Sequence, residues 1–522
     1  MNAQETVVSS NSNPSEQDEG TNAATSLSPG PGPAQAENGV QSESPSRASF
    51  GDRKLGLSHV IAQSLATNAP IFNAITFLPL IVGGTTGNGA GSAVPLSVLF
   101  SAVTMFGVMW TLSRFSRYLD TTGSVYVFIS RSFGDRTGTA FGSLNYLSIV
   151  LGPLTPLIFG GYLQGYLSSQ FGIHISWWIL SLGLIAVSAL ILALGVGIST
   201  RIQLVWMLVA MLAITAFSVV VIIRSISGGV DALAPFNVHS SPHGWLGVAW
   251  GMLYGLFIFA GVESAQNLAE ETPNPKRSIP RALMIVVGLL TVYFMLVAYA
   301  TVLGFHLDGD AIAKDAAPLL ALAAPGHYGA TWLVDVLTVM LLFDMFTLTL
   351  GTCVYGSRGL FALARDGRLP HALTRVSGKR HVPTVATATP VVWMVALVLG
   401  TAVAGSLFVK TGSPAYLTVF TWIGGIQGLI TAVIYGTVCL SAFGWLRRKD
   451  SHAAYLVVAA GVGVLSACGI LFSNLYHASA SMYVNILIVA GFLLFSFVQS
   501  TIRRRRGQFG ASAASLEELE EI

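Results

Sequence analysis

The stretch WGMLYGLFIFAGVESAQNLAEETPNPKRSIPRA, residues 250–282, changes from apolar to strongly polar within a few residues of its middle. Its apolar half is typical of a membrane-spanning helix, except that Gly251, Gly255 and Gly261 interrupt it. These glycines predict either a helix broken inside the membrane or a close packing face of the Gly-x-x-x-Gly type. In the polar half, three prolines stop one helix and start the next: Pro273, Pro275 and Pro280.

The composition of the whole chain also indicates a membrane protein. Its 522 residues are 53% hydrophobic and 10% charged, whereas soluble globular proteins carry about 25% charged residues. So few charges cannot cover a water-soluble surface, and disorder would require low hydrophobicity. The net charge of +3 is too small to indicate a nucleic-acid partner. The three cysteines have neither the spacing of a disulfide framework nor that of a metal site, so no cofactor is expected.

Apolar runs long enough to cross roughly 30 Å of hydrocarbon recur along the chain. They predict twelve spans, at 57–83, 93–113, 138–167, 176–197, 203–223, 245–268, 280–304, 331–363, 386–406, 416–444, 453–474 and 483–502. Residues 1–54 are rich in Ser, Asn, Gln, Pro, Gly and Glu and lack the apolar side chains of a folded core. We expect this segment to be a disordered cytoplasmic tail.

The basic residues follow the positive-inside rule, by which Lys and Arg gather on cytoplasmic loops. With twelve spans in place, 24 of the 27 basic residues fall on one side of the membrane. The three on the other side are Arg224, Lys314 and Lys410. A missed or spurious span would scramble this alternation, so we expect a multi-pass protein of the cell membrane with both termini in the cytoplasm. The run from Arg503 to Arg506 follows the last span and is interpreted as an anchor to anionic lipid.

The predicted first span is interrupted like the sixth. Residues 59–73 read HVIAQSLATNAPIFN, with small and polar residues where a lipid-facing helix would carry leucine. Pro70 cannot donate to the hydrogen-bond ladder of a helix and clashes with the preceding turn. If the first ten spans form two five-helix repeats, spans one and six occupy matching positions, which indicates a transporter site. The free N–H groups of such breaks attract a carboxylate, and the free carbonyls attract an ammonium or another cation.

Three motifs resemble those of the amino acid–polyamine–organocation permease superfamily. The first is FAGVESAQNLAEETPNPKRSIPRA, residues 259–282. The second is SRGLFALARDGRLP, residues 357–370, after the eighth span. The third, GSVY at residues 123–126, resembles the stretch that enters the third span. The first two motifs are long and specific, and residues 55–445 fit the superfamily throughout.

The resemblance implies an all-α membrane fold with a five-plus-five inverted-repeat core, as in leucine-transporter-like proteins, over residues 55–445. It further implies two additional helices over 446–505 and a cytoplasmic tail over 506–522. The substrate would lie between the broken first and sixth spans, with Phe257 in the place of an aromatic gate. The sequence departs from the usual glycines of the first break at residues 68–70. The residues implied to bind substrate are Ala66, Thr67, Asn68, Ala69, Pro70 and Ile71, together with Phe257, Ile258, Phe259, Ala260 and Gly261.

Acidic residues inside the spans are the candidates for energy coupling. Asp344 lies in the middle of the eighth span, where a charge costs about 2.5–3.5 kcal/mol on insertion scales, so a functional role in carrying a proton is the first hypothesis. Thr347 shares its helix face, and its hydroxyl is alternatively a sodium ligand beside carbonyls of the first span. Glu263, at the inner end of the sixth span, is a further proton candidate. The fifth span lacks the lysine of some proton-coupled relatives, so the choice between proton and sodium stays open.

The leading functional hypothesis is uptake of an amino acid or a related small amine by alternating access, coupled to a proton or another cation. The alternatives are exchange of an amino acid against its amine or another amino acid, and, in a different class, a sensor that binds the solute without transporting it. The sequence has no phosphate loop, metal-ligand cluster or nucleophile motif of an enzyme, and no repeated selectivity filter of a channel. Because few charged residues fall on the expected pocket, neutral zwitterions are favoured over cationic substrates, with polyamines left open.

Overall fold

The apolar runs form α-helices in every part of the chain that the computed structural model describes. The described residues are 56–84, 87–119, 124–152, 154–194, 200–365, 369–376, 383–405, 414–449, 453–475 and 480–505. The tails expected over 1–54 and 506–522 therefore lie outside the described residues. Within the described ranges the sole extended pairing is an isolated antiparallel bridge between Val376 and Pro383.

Nineteen α-helices follow one another along the described chain. They are α1 (Leu57–Asn68), α2 (Pro70–Thr76), α3 (Leu78–Gly83), α4 (Val94–Tyr118), α5 (Ser124–Phe133), α6 (Asp135–Leu151), α7 (Thr155–Phe171), α8 (Trp177–Leu194), α9 (Thr200–Ser227), α10 (Gly244–Phe257), α11 (Pro275–Gly304), α12 (Gly309–Lys314), α13 (Pro318–Leu322), α14 (Thr331–Arg365), α15 (Thr384–Ala404), α16 (Ala415–Ser441), α17 (Arg447–Lys449), α18 (Ala453–Leu475) and α19 (Ala480–Arg505). A ten-residue 3-10 helix, Val262–Glu271, continues the line of α10.

Nine helices within the described ranges are long and apolar enough to cross a membrane, and a tenth, Trp177–Ala193, is shorter. The predicted first and third spans are missing from these because each is divided, the first into α1, α2 and α3 and the third into α6 and α7. Large apolar side chains on the outer helices stay exposed, such as Leu465 (74%) and Leu487 (70%). Such faces require lipid. The helical membrane fold is thus as predicted, and the count of twelve spans stays a prediction.

The stretch that precedes the third span forms a helix of its own. Ser124 begins this helix, α5, which ends at Phe133, before the predicted span begins at residue 138. Gly134, with φ +85°, then turns the chain before α6 begins. A positive φ is open to glycine at no steric cost, and it ends the first helix before the second can start.

The break in the first span lies between Asn68 and Pro70. Ala69 has φ +51°, so α1 ends there in the left-handed conformation. Such a conformation costs an alanine roughly 1–2 kcal/mol, and Pro70 at the first position of α2 has no N–H to lose. Proline at this position therefore starts α2 and prevents α1 from continuing through it.

The break in the sixth span begins where α10 ends at Phe257 and is completed at Gly261, which has φ +96°. A Cβ on Gly261 would lie 2.7 Å from the Thr67 carbonyl oxygen, so the two breaks are in direct backbone contact. Gly251 and Gly255 instead let α10 approach α4, since a Cβ on Gly255 would lie 2.3 Å from the Ser101 Oγ. The glycine pattern therefore serves both purposes that the sequence suggested, packing in α10 and a break at its end.

The two interrupted helices lie at the centre of the bundle. The first packs against α9, α11, α14 and the 3-10 helix, and α10 packs against α4, α16 and α18. At one end of the bundle, α12 covers α3, and the Ser92 hydroxyl donates to the Leu307 carbonyl at 2.5 Å. We call this the α12 end. From there α10 runs past the centre, and the 3-10 helix continues to Glu271 at the opposite end.

Candidate functional site

A cavity of about 130 Å³ lies between the two breaks. One water needs roughly 10–15 Å³ by this measure, so the space suits a small organic solute rather than a peptide. Its walls come from both breaks and from α6, α7, α14 and α16. The lining combines apolar side chains with a similar number of polar ones, so the cavity offers both apolar contact and hydrogen-bonding groups to a small molecule.

Five of the eleven residues that the resemblance implied for substrate binding line this cavity. They are Thr67, Asn68, Phe257, Ala260 and Gly261. The other six are packed in the walls behind it: Ala66, Ala69, Pro70, Ile71, Ile258 and Phe259. Their assignment to substrate stays a prediction.

Asn68 links the two broken helices through its side-chain amide. Its Nδ2 donates to the carbonyls of Ile258 (2.8 Å) and Ala260 (2.9 Å) in the sixth span. The Nδ2 of Asn73 donates to the same Ile258 carbonyl at 3.0 Å. Carbonyls freed by the second break are therefore held by amides from the first, and this pairing satisfies backbone groups that no helix ladder can satisfy.

Glu263 lies in the cavity wall, although the sequence suggested a position at the end of the span. Its carboxylate accepts hydrogen bonds from the Gly261 N–H at 3.0 Å and from the Tyr435 hydroxyl at 2.8 Å. Among the described residues that line the cavity, it is the one charged side chain. The turn at Gly261 brings Glu263 back toward the centre of the bundle.

Asp344 is buried, with 1% of its surface exposed, and lies just behind the cavity. Its Oδ2 accepts hydrogen bonds from the N–H groups of Ile71 and Phe72, each at 2.9 Å. These are the first two N–H groups of α2. The carboxylate of Asp344, which belongs to α14, therefore caps the N-terminus of α2. A carboxylate at this position also interacts favourably with the dipole of the helix.

Thr347 is buried beside Asp344, as expected from their spacing, yet its hydroxyl faces its own helix. The Oγ1 donates to the Asp344 carbonyl at 2.9 Å, and the neighbouring Thr349 hydroxyl donates to the Met345 carbonyl at 2.9 Å. Both hydroxyl groups therefore donate their hydrogen bonds to backbone carbonyls of α14. A role of Thr347 in coupling stays a prediction.

Four phenylalanines cover the side of the cavity toward the α12 end. Phe77 lies at the centre of this group, with ring-centroid distances of 4.8 Å to Phe257, 5.9 Å to Phe72 and 5.9 Å to Phe420. All four line the cavity. Phe257 therefore lines the cavity as part of an aromatic cluster, whose other three members were not predicted.

At the opposite end, Glu271 and Arg358 form a bidentate ion pair. Arg358 Nε lies 2.6 Å from one Glu271 oxygen, and Nη2 lies 3.1 Å from the other. Each residue belongs to one of the two long motifs of the sequence, so the motifs meet in space. The pair is mostly buried and joins the end of the sixth span to α14. Geometry of this kind is stronger and more specific than a single charge contact.

Several polar residues of the wall were not singled out from the sequence. Gln427 on α16 donates from Nε2 to the Ser148 carbonyl at 2.9 Å, and Thr352 on α14 donates to the Leu348 carbonyl at 2.8 Å. Tyr355 and Tyr435 complete this part of the lining. The position of Gln427 near the middle of an apolar span was a usable signal, since intramembrane polar residues face the bundle interior.

The described residues contain no group of three or more His, Cys, Asp or Glu side chains that could hold a metal ion. A crystal structure of the Eremococcus coleocola manganese transporter resembles this chain with a TM-score of 0.53 at 12% identity, covering 86% of this chain and 95% of that one. The likeness shows a common fold, and the fold alone.

Sequence comparison gives a more specific result. A branched-chain amino acid permease of Lactococcus lactis, BcaP, is 28% identical over 362 residues, covering 64% of this chain and 72% of that protein. An uncharacterized amino acid permease of Bacillus subtilis, YecA, is 24% identical over 416 residues, covering 79% and 90%. The family described as amino acid permease matches residues 59–502. The chain is thus a multi-pass membrane transporter rather than an enzyme, and it belongs to the amino acid permease family.

Proposed function

We propose that the chain takes up an amino acid or a related small amine by alternating access, using the cavity between the two broken helices. The observation that supports this proposal most directly is the cavity itself, which both breaks line and which phenylalanines cover on one side. The name of the Lactococcus relative supports an amino acid with an apolar side chain. The four phenylalanines suit such a side chain, since apolar surface favours apolar contact.

The covers on the two sides of the cavity suggest how access alternates. The aromatic cluster lies toward the α12 end, and the Glu271–Arg358 pair lies toward the other end. Opening one cover while the other stays closed exposes the cavity to one side at a time. The hydrogen bonds from Asn68 to Ile258 and Ala260 keep the two breaks together during this movement.

Coupling to a proton is proposed to act through Asp344. This carboxylate holds the first N–H groups of α2 from α14. Protonation would remove its charge and weaken both hydrogen bonds, because charge-assisted bonds are about twice as strong as neutral ones. Proton binding would therefore loosen α2 from α14. Glu263 is the second candidate, and sodium bound near Thr347 remains the alternative driver.

Two further candidates follow from the same site. An exchanger would use the same cavity without a net requirement for a proton. A sensor would bind the solute without releasing it on the other side. Uptake of radiolabelled leucine into proteoliposomes separates the three, because a sensor gives no uptake and an exchanger gives uptake only when the vesicles are preloaded.

The proposed orientation places both termini in the cytoplasm of a cell-membrane protein and the α12 end outside. A cysteine at the exposed position of Asp310 on α12 should then react from outside with an impermeant thiol reagent. A cysteine at the exposed position of Lys276, on the opposite end, should react only after permeabilisation. Cys468 is exposed and would be replaced by alanine in both variants, whereas Cys353 and Cys439 are buried. If only the Lys276 variant is labelled in intact cells, the protein has the opposite orientation and the proposed topology is wrong.

Charge reversal at the Glu271–Arg358 pair tests its role as a cover. Glu271→Arg and Arg358→Glu should each reduce the initial rate of transport at least tenfold, since each leaves two like charges facing each other. The double variant should recover a substantial part of the rate, because residues in direct contact are coupled by about 0.5–3 kcal/mol. Rate losses that simply add in the double variant would show that the pair itself contributes nothing.

A further inference from the structure

We propose that the ends of α4 and α17, at the end of the bundle opposite the α12 end, form a binding site for the headgroup of an anionic phospholipid. The site goes beyond the proposed transport function and lies away from the cavity. Its basic residues are one at the end of α4 and the three of α17, and we call them the α17 patch: Arg117, Arg447, Arg448 and Lys449. They are separate from the run of arginines at the end of α19.

Contacts between α4 and the segment around α17 bring basic residues from both helices onto one surface. The hydroxyl of Tyr118, the neighbour of Arg117, donates to the Lys449 carbonyl at 3.1 Å. The ring of Tyr118 lies edge-on to that of Trp445, with 6.2 Å between the centroids. The Lys449 Nζ lies 5.2 Å from the centre of the same Trp445 ring. The two helix ends are therefore in contact, although 331 residues separate Tyr118 from Lys449.

The positive charge of the α17 patch is exposed and only partly balanced. All four side chains are exposed, and among the described residues none of them has an acidic partner in an ion pair. Asp120 and Asp450 follow the two segments and lie outside the described residues. When both acids are counted, residues 117–120 and 447–450 together still carry a net charge of +2. Such a surface attracts anions.

The helix that carries most of the α17 patch also presents an apolar face next to it. A short π-helix, Ala442–Leu446, joins α16 to α17, and π-helices are rare and frequent at functional sites. Phe443 lies four residues before Arg447, roughly one helical turn, so the two share a face. Phe443 is 36% exposed, and Leu440, about one turn earlier, is 45% exposed. This face therefore passes from apolar to basic toward the helix end, as an acyl chain below a charged headgroup requires.

Aromatic residues indicate that the α17 patch lies at the level of lipid headgroups. Tyr118 and Trp445 lie within it, and Tyr455, which is 69% exposed, lies near the start of α18, which packs against α17. Tyrosine and tryptophan are enriched at membrane interfaces. In the proposed orientation the patch faces the cytoplasmic leaflet, whose anionic lipids attract clusters of about four to eight basic residues beside a span. A soluble phosphate would leave the apolar face unused, so a lipid is the better ligand.

Quenching of tryptophan fluorescence tests the site on the purified protein in phosphatidylcholine vesicles. The vesicles would contain equal mole fractions of either brominated phosphatidylglycerol or brominated phosphatidylcholine. The contribution of Trp445 is obtained by subtracting the quenching of Trp445→Phe, since bromine over the α17 patch lies close to this ring. This contribution should be at least twofold larger with phosphatidylglycerol. Equal contributions with the two lipids would overturn the inference.

Variants show whether the α17 patch itself selects the lipid. Replacing Arg447 and Arg448 together by glutamine should abolish the excess quenching by phosphatidylglycerol, replacing both by lysine should keep it, and Arg117→Gln should reduce it. The control replaces Lys276 and Arg277 by glutamine, which removes two exposed basic residues at the start of α11, and should change nothing. An undiminished excess without Arg447 and Arg448, or an equal loss in the control, would contradict a specific site.

A soluble competitor identifies the source of the phosphate. Glycerophosphoglycerol has the charged group of phosphatidylglycerol without its acyl chains and should leave the excess quenching in place. Complete displacement by this compound would show a site for a soluble anion and would refute the lipid assignment. Added sodium chloride should weaken the excess, because salt screens exposed charges. The readout is lipid binding, so the result does not depend on whether leucine is transported.

Discussion

Replacing Asp344 by asparagine should abolish the accumulation of substrate that an imposed pH gradient drives, while exchange of labelled against unlabelled substrate continues. The oxygen of the asparagine amide can still accept from the N–H groups of Ile71 and Phe72, so α2 keeps its cap. The amide cannot take up a proton, so the step that loosens α2 is lost. We expect pH-driven accumulation to fall at least tenfold, and exchange by less than threefold, in proteoliposomes with matched protein content.

Asp335→Asn is the control for this variant. Asp335 lies nine residues earlier on α14, outside the cavity lining, so its replacement should leave pH-driven accumulation unchanged. Unchanged accumulation in Asp344→Asn would refute the assignment of the proton to Asp344. Loss of both accumulation and exchange, with the protein still folded, would mean that Asp344 is needed for movement itself rather than for coupling.

Phe257→Ala should reduce the initial rate of uptake at least tenfold at low substrate concentration, with a small change in thermal stability. The ring of Phe257 lies on the cavity, 4.8 Å from the ring of Phe77, and is partly exposed. Its removal opens the aromatic cluster and admits water, so the effect falls on binding and closure. The uptake rate and the midpoint of thermal unfolding, measured on the same preparation, check this prediction.

Phe259→Ala is the matched comparison because Phe259 is fully buried behind the cavity, with its ring 5.3 Å from that of Phe294. Large-to-small changes at buried phenylalanines cost about 3–5 kcal/mol in soluble proteins. This variant should therefore lose stability and uptake together. If Phe257→Ala behaves in the same way, Phe257 is ordinary packing and the gate assignment is wrong.

The breaks of the first and sixth spans were predictable because local chemistry determines them. Pro70 cannot stay in the interior of a helix, and Gly261 adopts a φ that other residues avoid. The packing role of Gly251 and Gly255 was likewise visible in their spacing. The separate helix α5 was not predicted because it has only 10 residues, and only runs long enough to cross the bilayer were assigned as helices.

The contacts that define the site could not be predicted from local sequence patterns, because they join residues far apart in the chain. Asp344 caps N–H groups 272 and 273 residues earlier in the chain, and Asn68 contacts carbonyls 190 and 192 residues later. Spacing on a single helix carries no information about such pairs. The Thr347 hydroxyl donates instead within its own helix, a local alternative to a contact with another span. Glu263 was placed at the inner end of a span from its position in the sequence, whereas it lies after the turn at Gly261 and lines the cavity.

Uptake of radiolabelled leucine into proteoliposomes with purified protein tests the central claim most directly, namely that the cavity carries a solute across the membrane. We expect saturable accumulation above that of empty liposomes, proportional to the enclosed volume when the vesicles are shrunk osmotically, and at least tenfold lower with Phe257→Ala. Retained label that does not depend on the enclosed volume would show binding without transport and would contradict the account.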